Sequence, residues 1–189
     1  MDALTLLTAD HNRVRGLFAR FQAAHEAEDT TTAAELASKI YEELTVHTDI
    51  EETVFYPAVT DVDDEVHELV VESLEEHRVM KEMIREARML SPEDERWAAK
   101  VTVCIENTEH HASEEEESMW PLLRKGMSGE QLEDLGSRLE ARKRELGAPT
   151  LADKIDLTKT ELIEKAREQE IPGRSKMDHD ELAATVAPN

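Results

Sequence analysis

Two segments of the chain repeat one arrangement of metal-competent side chains. HTDIEETVFYP, from His47, and HASEEEESMWP, from His111, both read His, three residues, Glu-Glu, three residues, an aromatic and Pro. Residues four apart on a helix share a face one turn apart, so His47 with Glu51 and His111 with Glu115 form two clamps. Each clamp aims an imidazole and a carboxylate at one point. Two more histidines, His11 and His77, stand 36 and 34 residues before His47 and His111.

These residues occupy slots where helices of this kind keep apolar side chains, which turns them inward. Burying a lone carboxylate costs about several kcal/mol unless a cation neutralises it. No Lys or Arg falls in the apolar stripes at the matching level, so metal is the simplest counter-charge. Four imidazoles and two carboxylates are too many for one tetrahedral zinc; carboxylates bridging two ions suit a binuclear site with positions left open, and two irons are favoured.

The elements that must position these ligands are helices. Charged residues make up 35% of the chain, aromatics 4%, with six Gly and six Pro, a balance that favours helix over sheet. From Leu4 to about Ala24 the stripe is Leu7, Val14, Phe18 and Phe21, with His11 inside it. From about Thr32 to Tyr56 it is Leu36, Ile40, Leu44, Val54 and Ala58, ending near Pro57, with His47 and Glu51 filling the gaps. The third stretch, about Asp63 to Leu90, places Val66, Val70, Leu74, Met80, Ile84 and Ala87 on one face around His77. The fourth, about Pro92 to Leu123, carries Trp97, Val101, Cys104, Thr108 and Leu122 beside His111 and Glu115.

Short links between four such helices predict an up-down-up-down bundle made of two related hairpins. At about 1.5 Å rise per residue and in antiparallel order, all six polar side chains fall within roughly two turns of one level. The expected fold is all-α, a four-helix bundle plus a following helix over residues 1–147, with a small helical appendage over 148–189. The following helix starts at Ser128, with a capping box to Gln131, and Gly147-Ala148-Pro149 reads as a linker.

Within the site, several residues carry bland expectations. His110 reads as a surface or supporting residue, because register with His47 selects His111. Tyr56 has the chemistry of a ferric ligand, but on a straight helix it lies on roughly the face opposite His47, and only a bend before Pro57 would return it. His25 and His67 read as solvent-facing, Met80, Met119 and Phe55 as pocket lining or core, and Cys104 as core. Glu52 and the run Glu114 to Glu117 read mostly as a solvated face, with one or two placed to help iron enter.

The net charge of −22 argues against a nucleic-acid or anionic-membrane surface on the main body. The opening MDALTLLTAD lacks the basic start and apolar run of a signal or anchor, and a single cysteine rules out an internal disulfide, so a cytoplasmic location is expected.

A His on the first helix, His-x-x-x-Glu on the second, His on the third and His-x-x-x-Glu on the fourth resembles the hemerythrin-like (HHE cation-binding) domain, over roughly residues 4 to 125. The Glu-x-x-His spacing of ferritin-like di-iron proteins is missing. The resemblance implies His11, His47, His77 and His111 as terminal ligands and Glu51 and Glu115 as bridges between two non-haem irons, themselves oxo- or hydroxo-bridged. The oxygen-carrying members have a further His one turn before the third-helix ligand; here that position is Ser73. Reactivity toward O2, peroxide or nitric oxide, in stress defence or sensing, then becomes at least as well motivated as oxygen transport, and a peroxide- or NO-consuming oxidoreductase is one form of it.

From Leu157, LTKTELIEKAREQEIPGRSKMDHDELAATV reads as helix, extended loop and short helix, with Thr158 or Thr160 and Asp178 as N-caps. It is similar to Rho N-terminal-like and SAP-like modules. Residues 151–189 hold six Lys/Arg against nine Asp/Glu, so Arg174 and Lys176 are the only credible phosphate contacts. A protein partner is the better expectation for this segment, which motivates an alternative function: an iron- or redox-responsive interaction module signalling through it.

Overall fold

Aspartates start four of the long helices. In the computed structural model, which describes residues 1–148 and 159–168 and positions 171, 174, 177 and 182, Asp2 caps α1 (Ala3–Glu26) and Asp29 caps α2 (Thr30–Ile50). Asp63 caps α4 (Asp64–Ala87) and Asp94 caps α5 (Glu95–Glu114). Each carboxylate accepts from a backbone N–H of the first turn that has no partner within the helix.

Between α2 and α4 the chain continues through a π-helical turn (Glu51–Phe55) into the short α3 (Tyr56–Val59). After α5 it does so again, through Glu115–Met119 into α6 (Trp120–Gly126). The helix α7 (Gly129–Glu145) opens on the expected capping box of Ser128 and Gln131, and α8 spans Lys159–Glu168. Most of the extended loop and second helix expected after α8 lies outside the described residues, Lys176 included; of the loop, Arg174 donates to the Ile171 carbonyl at 3.0 Å.

α1 turns back on α2 through Ala27, Glu28 and Asp29. Asp29 N–H bonds the Ala24 carbonyl at 2.9 Å and Glu28 N–H bonds that of His25 at 3.0 Å, the paired bonds of a Schellman cap. Glu28 takes the left-handed conformation this requires, with φ of 57°. Gly147, expected as the start of a linker, does the same job for α7 with φ of 69°.

The four main helices form two antiparallel hairpins, α1/α2 and α4/α5, and their apolar residues make two separate clusters. One gathers Leu4, Leu7, Ile50, Phe55, Val66 and Leu123. The other gathers Val14, Phe18, Ile40, Met80, Trp97 and Val101. His11, His47, His77 and His111 each lie in sequence between members of the first cluster and members of the second, so the polar residues form a layer between two dry ones. α7 packs Leu132, Leu135 and Leu139 into the first cluster, and Leu162, Ala166, Ile171 and Leu182 are buried there as well. A methyl on Gly136 would stand 2.3 Å from the Met1 carbonyl oxygen, so α7 runs too close to the N-terminus for any side chain there.

Two expectations about the stripes are corrected. Leu74 is 41% exposed and Ser73 is buried in its place, because the inward face of α4 steps through Val66, Val70, Ser73, His77, Met80 and Ile84. From the π turns onward the inward set shifts by one residue: Phe55 and Val59 are buried where Val54 and Ala58 were expected, and Leu123 where Leu122 was. One extra residue in a turn rotates everything after it.

Candidate metal centre

The bundle brings all six expected ligands together, and all are buried. The imidazoles meet in pairs: His11 Nε2 lies 3.1 Å from His47 Nε2, and His77 Nε2 lies 3.0 Å from His111 Nε2. Glu51 stands between the pairs, with Oε1 at 3.2 Å from His47 Nε2 and Oε2 at 3.3 Å from His77 Nε2. Glu115 mirrors it, its Oε2 at 3.3 Å from His11 Nε2 and 3.8 Å from His111 Nε2. Ligand atoms from His11, His47, Glu51 and Glu115 all lie within 4.8 Å of one another, as do those of Glu51, His77 and His111.

Tyr56 joins the site. Its hydroxyl donates to Glu115 Oε1 at 2.9 Å and lies 3.4 Å from His77 Nε2. At about 100° per residue, nine residues from His47 end half a turn away, but the π turn absorbs one residue and swings Tyr56 back by roughly a quarter turn or more. No sequence periodicity reports that extra residue. The equivalent Trp120 stacks on His11 at a centroid distance of 6.2 Å and donates from Nε1 to Thr8 Oγ1 at 3.1 Å.

The second nitrogen of three of the four candidate ligand histidines bonds a carboxylate, and the sequence reading missed these supporting acids. His11 Nδ1 lies 2.7 Å from Glu116 Oε1, His77 Nδ1 3.0 Å from Glu52 Oε1, and His111 Nδ1 2.7 Å from Glu76 Oε2. His47 Nδ1 faces Asp10 Oδ2 at 3.9 Å. A carboxylate only accepts, so the close contacts keep a proton on Nδ1 and direct Nε2 inward. Glu52 and Glu116, read as solvated acid, are held by Lys81 at 2.6 Å and Arg15 at 2.9 Å. A signal existed: Asp10 and Glu76 each precede a candidate ligand histidine, and Glu52 and Glu116 each follow a candidate ligand glutamate.

The residues fit a cation. Both oxygens of Glu51 and Oε2 of Glu115 are buried without a hydrogen-bond donor, although buried carboxylates are nearly always satisfied. Inward imidazole nitrogens beside unsatisfied carboxylate oxygens, once deprotonated, are the donor set of a transition-metal site.

A family model, the hemerythrin HHE cation-binding domain, matches residues 2–123. The chain belongs to the hemerythrin HHE cation-binding family. This HHE domain is also similar in fold to a hemerythrin HHE cation-binding domain-containing protein from Mycobacterium kansasii, at 20% identity and a TM-score of 0.65, over 97% of this chain and 99% of that one. A protein of Nostoc sp. (strain PCC 7120 / SAG 25.82 / UTEX 2576) described as a DNA nickase is 28% identical over 145 residues, 76% of this chain and 39% of that protein. The chain thus spans about two-fifths of that relative's length.

The HHE site is strongly polarised. Burial and the neighbouring Glu115 charge push Glu51 well above the usual carboxylate range. Burial opposes charge on Glu115 too, but His111 and His11 overcome it and lower its pKa to about 2. Burial likewise opposes charge on His11, yet Glu115 and Glu116 raise it to about 9. Burial depresses His47 to about 4. The Tyr56 phenol is pushed well up by burial, then by Glu115 and Glu51.

Other expected residues sit apart from this layer. His110 is an exposed side chain 3.8 Å from Glu76, His25 and His67 face solvent, and Met80, Met119, Phe55 and Cys104 are core. Among the described residues no helix is long and apolar enough to cross a membrane.

Proposed function

We propose that this HHE domain is a cytoplasmic non-haem di-iron centre that binds or reacts with O2, peroxide or nitric oxide. His11, His47, His77 and His111 serve as terminal ligands, and Glu51 and Glu115 bridge. The observation that carries the reading is the sharing of Glu51 by two adjacent ligand groups, one oxygen toward each, with neither oxygen otherwise satisfied. Two irons with an open position supply ligand binding and electron exchange toward such small molecules.

The chain's own residues set the conditions for that chemistry. Glu116, Glu52 and Glu76 orient three imidazoles through Nδ1. Tyr56, at the start of α3, fills the space near buried Ser73, where the oxygen-carrying proteins of the resemblance have a histidine, and holds its phenolic proton against Glu115. A cavity of about 10 Å³ reaches His11 and His47 between Val14, Phe18, Leu44 and Ala112, room for about one water-sized molecule.

Stopped-flow spectra of the iron-loaded protein mixed with O2, peroxide or nitric oxide test the reading. A change in the iron chromophore with at least one of them is expected. No change with any, or retention of less than about one iron per chain, removes it.

The alternative, an iron-responsive interaction module, draws on the burial of Leu162, Ala166, Ile171 and Leu182 in the same apolar cluster as Ile50 and Phe55, residues beside Glu51 and Tyr56. Limited proteolysis with and without iron separates the readings: equal cleavage after residue 148 counts against it.

A further inference from the structure

α7 lies beyond the matched residues 2–123, yet its last turn touches the support of the metal centre. The Lys143 side chain is 3% exposed, and its ammonium bonds both Asp10 oxygens, at 2.5 and 2.6 Å. Asp10 is the carboxylate that faces His47 Nδ1, but it stands 3.9 Å away, and that nitrogen is buried without a hydrogen-bond partner. In the other hairpin Glu76 holds the matching place and bonds His111 Nδ1 at 2.7 Å. Among the described residues Glu76 is paired only with His110 and His111.

The repeat therefore breaks at one point, where a lysine from outside it claims one of the supporting carboxylates. A carboxylate that accepts from Nδ1–H makes an imidazole a stronger and better-oriented ligand; Glu52 still reaches His77 while bonded to Lys81, but Asp10, drawn onto Lys143, stands out of hydrogen-bond reach of His47. We propose that Lys143 is a positioning residue that makes the two metal positions unequal: by holding Asp10 away from His47, it weakens the His11/His47 position relative to the His77/His111 position. The proposal rests on the di-metal reading above.

The test uses the whole chain, metal-free, titrated with Zn2+ against a chelator. Wild type takes up two equivalents of unequal affinity. Lys143→Met frees Asp10 to accept from His47, and the weaker equivalent tightens by about tenfold, although the metal-free variant melts at a lower temperature. Arg142→Ala, which breaks the other anchor of α7 (Arg142 to Asp49, 2.7 Å), lowers the melting temperature without tightening either equivalent. Should Lys143→Met fail to fold, nitrogen-15 NMR of the wild-type zinc form decides: the Nδ1 proton of His47 resonates upfield of those of His11, His77 and His111. Wild-type or weaker affinities in a folded Lys143→Met, the same tightening in Arg142→Ala, or four equivalent Nδ1 protons overturn the proposal. Less than one equivalent bound by wild type overturns instead the metal reading on which it stands.

Discussion

The Tyr56 hydroxyl donates to Glu115 Oε1 at 2.9 Å, which joins the end of one hairpin to a buried site carboxylate of the other. The contact exists because the π turn Glu51–Phe55 rotates Tyr56 inward. Tyr56→Phe leaves a buried carboxylate oxygen without its donor, and a loss of about 1–3 kcal/mol in the stability of the metal-free protein is expected. The visible spectrum of the iron-loaded variant shifts as well. Denaturant melts and spectra matching wild type would place Tyr56 outside the site's chemistry.

Metal removal lowers stability, since ligands that bind only the folded state stabilise it by mass action. With free metal at about a hundred to a thousand times Kd the gain is about 3–4 kcal/mol, or about 10 °C in Tm for a chain of this size. Scanning calorimetry of iron-loaded and chelator-treated protein measures it; coincident transitions contradict the buried site.

Metal uptake depends on pH in a defined direction. His11 has a folded value of about 9, so it is protonated at neutral pH and must lose that proton to bind metal through Nε2. Apparent affinity is expected to rise from pH 7 to 9, with protons released to unbuffered solution on titration. A flat profile over that window excludes His11 as a ligand.

The metal-free protein has its own profile. Its raised His11 gives stability fully present below about pH 6.5 and lost as pH rises through about 9. The depressed His47, at about 4, gives stability present above about 6.5 and lost as pH falls through about 4. Glu52, lowered to about 2 chiefly by its bond to His77, adds a further loss below about 4.5. Glu51, raised well above the carboxylate range, gives stability lost as pH rises above about 4.5 and so offsets His47 between about 4.5 and 6.5. Urea midpoints should therefore be highest between about pH 4.5 and 6.5 and fall on either side, and a monotonic curve would contradict these assignments.

Glu28 holds a left-handed turn position without being glycine, with φ of 57°. Glu28→Gly relieves that conformation and is expected to stabilise the protein by up to about 1 kcal/mol, with metal content unchanged. A lower Tm in the variant would show that the Glu28 side chain contributes more than its backbone conformation costs.

The six ligand candidates and the bundle were legible from the sequence because helical spacing is fixed: a His and a Glu four residues apart must share a face, and polar residues in apolar stripes must meet something. Antiparallel order then set their common height. The supporting acids were visible only in outline, since a Glu beside a ligand looks the same whether it faces water or bonds an imidazole; Glu52 and Glu117 differ in what lies across from them, not in type.

Only the tertiary structure decided the inward turn of Tyr56, the burial of Val59 instead of Ala58, and the capture of Asp10 by Lys143. The first two depend on one residue absorbed by a π turn, which shifts register without leaving a mark in composition. The last joins residues 133 apart, and pairing across such a distance is set by how α7 packs, not by any local pattern.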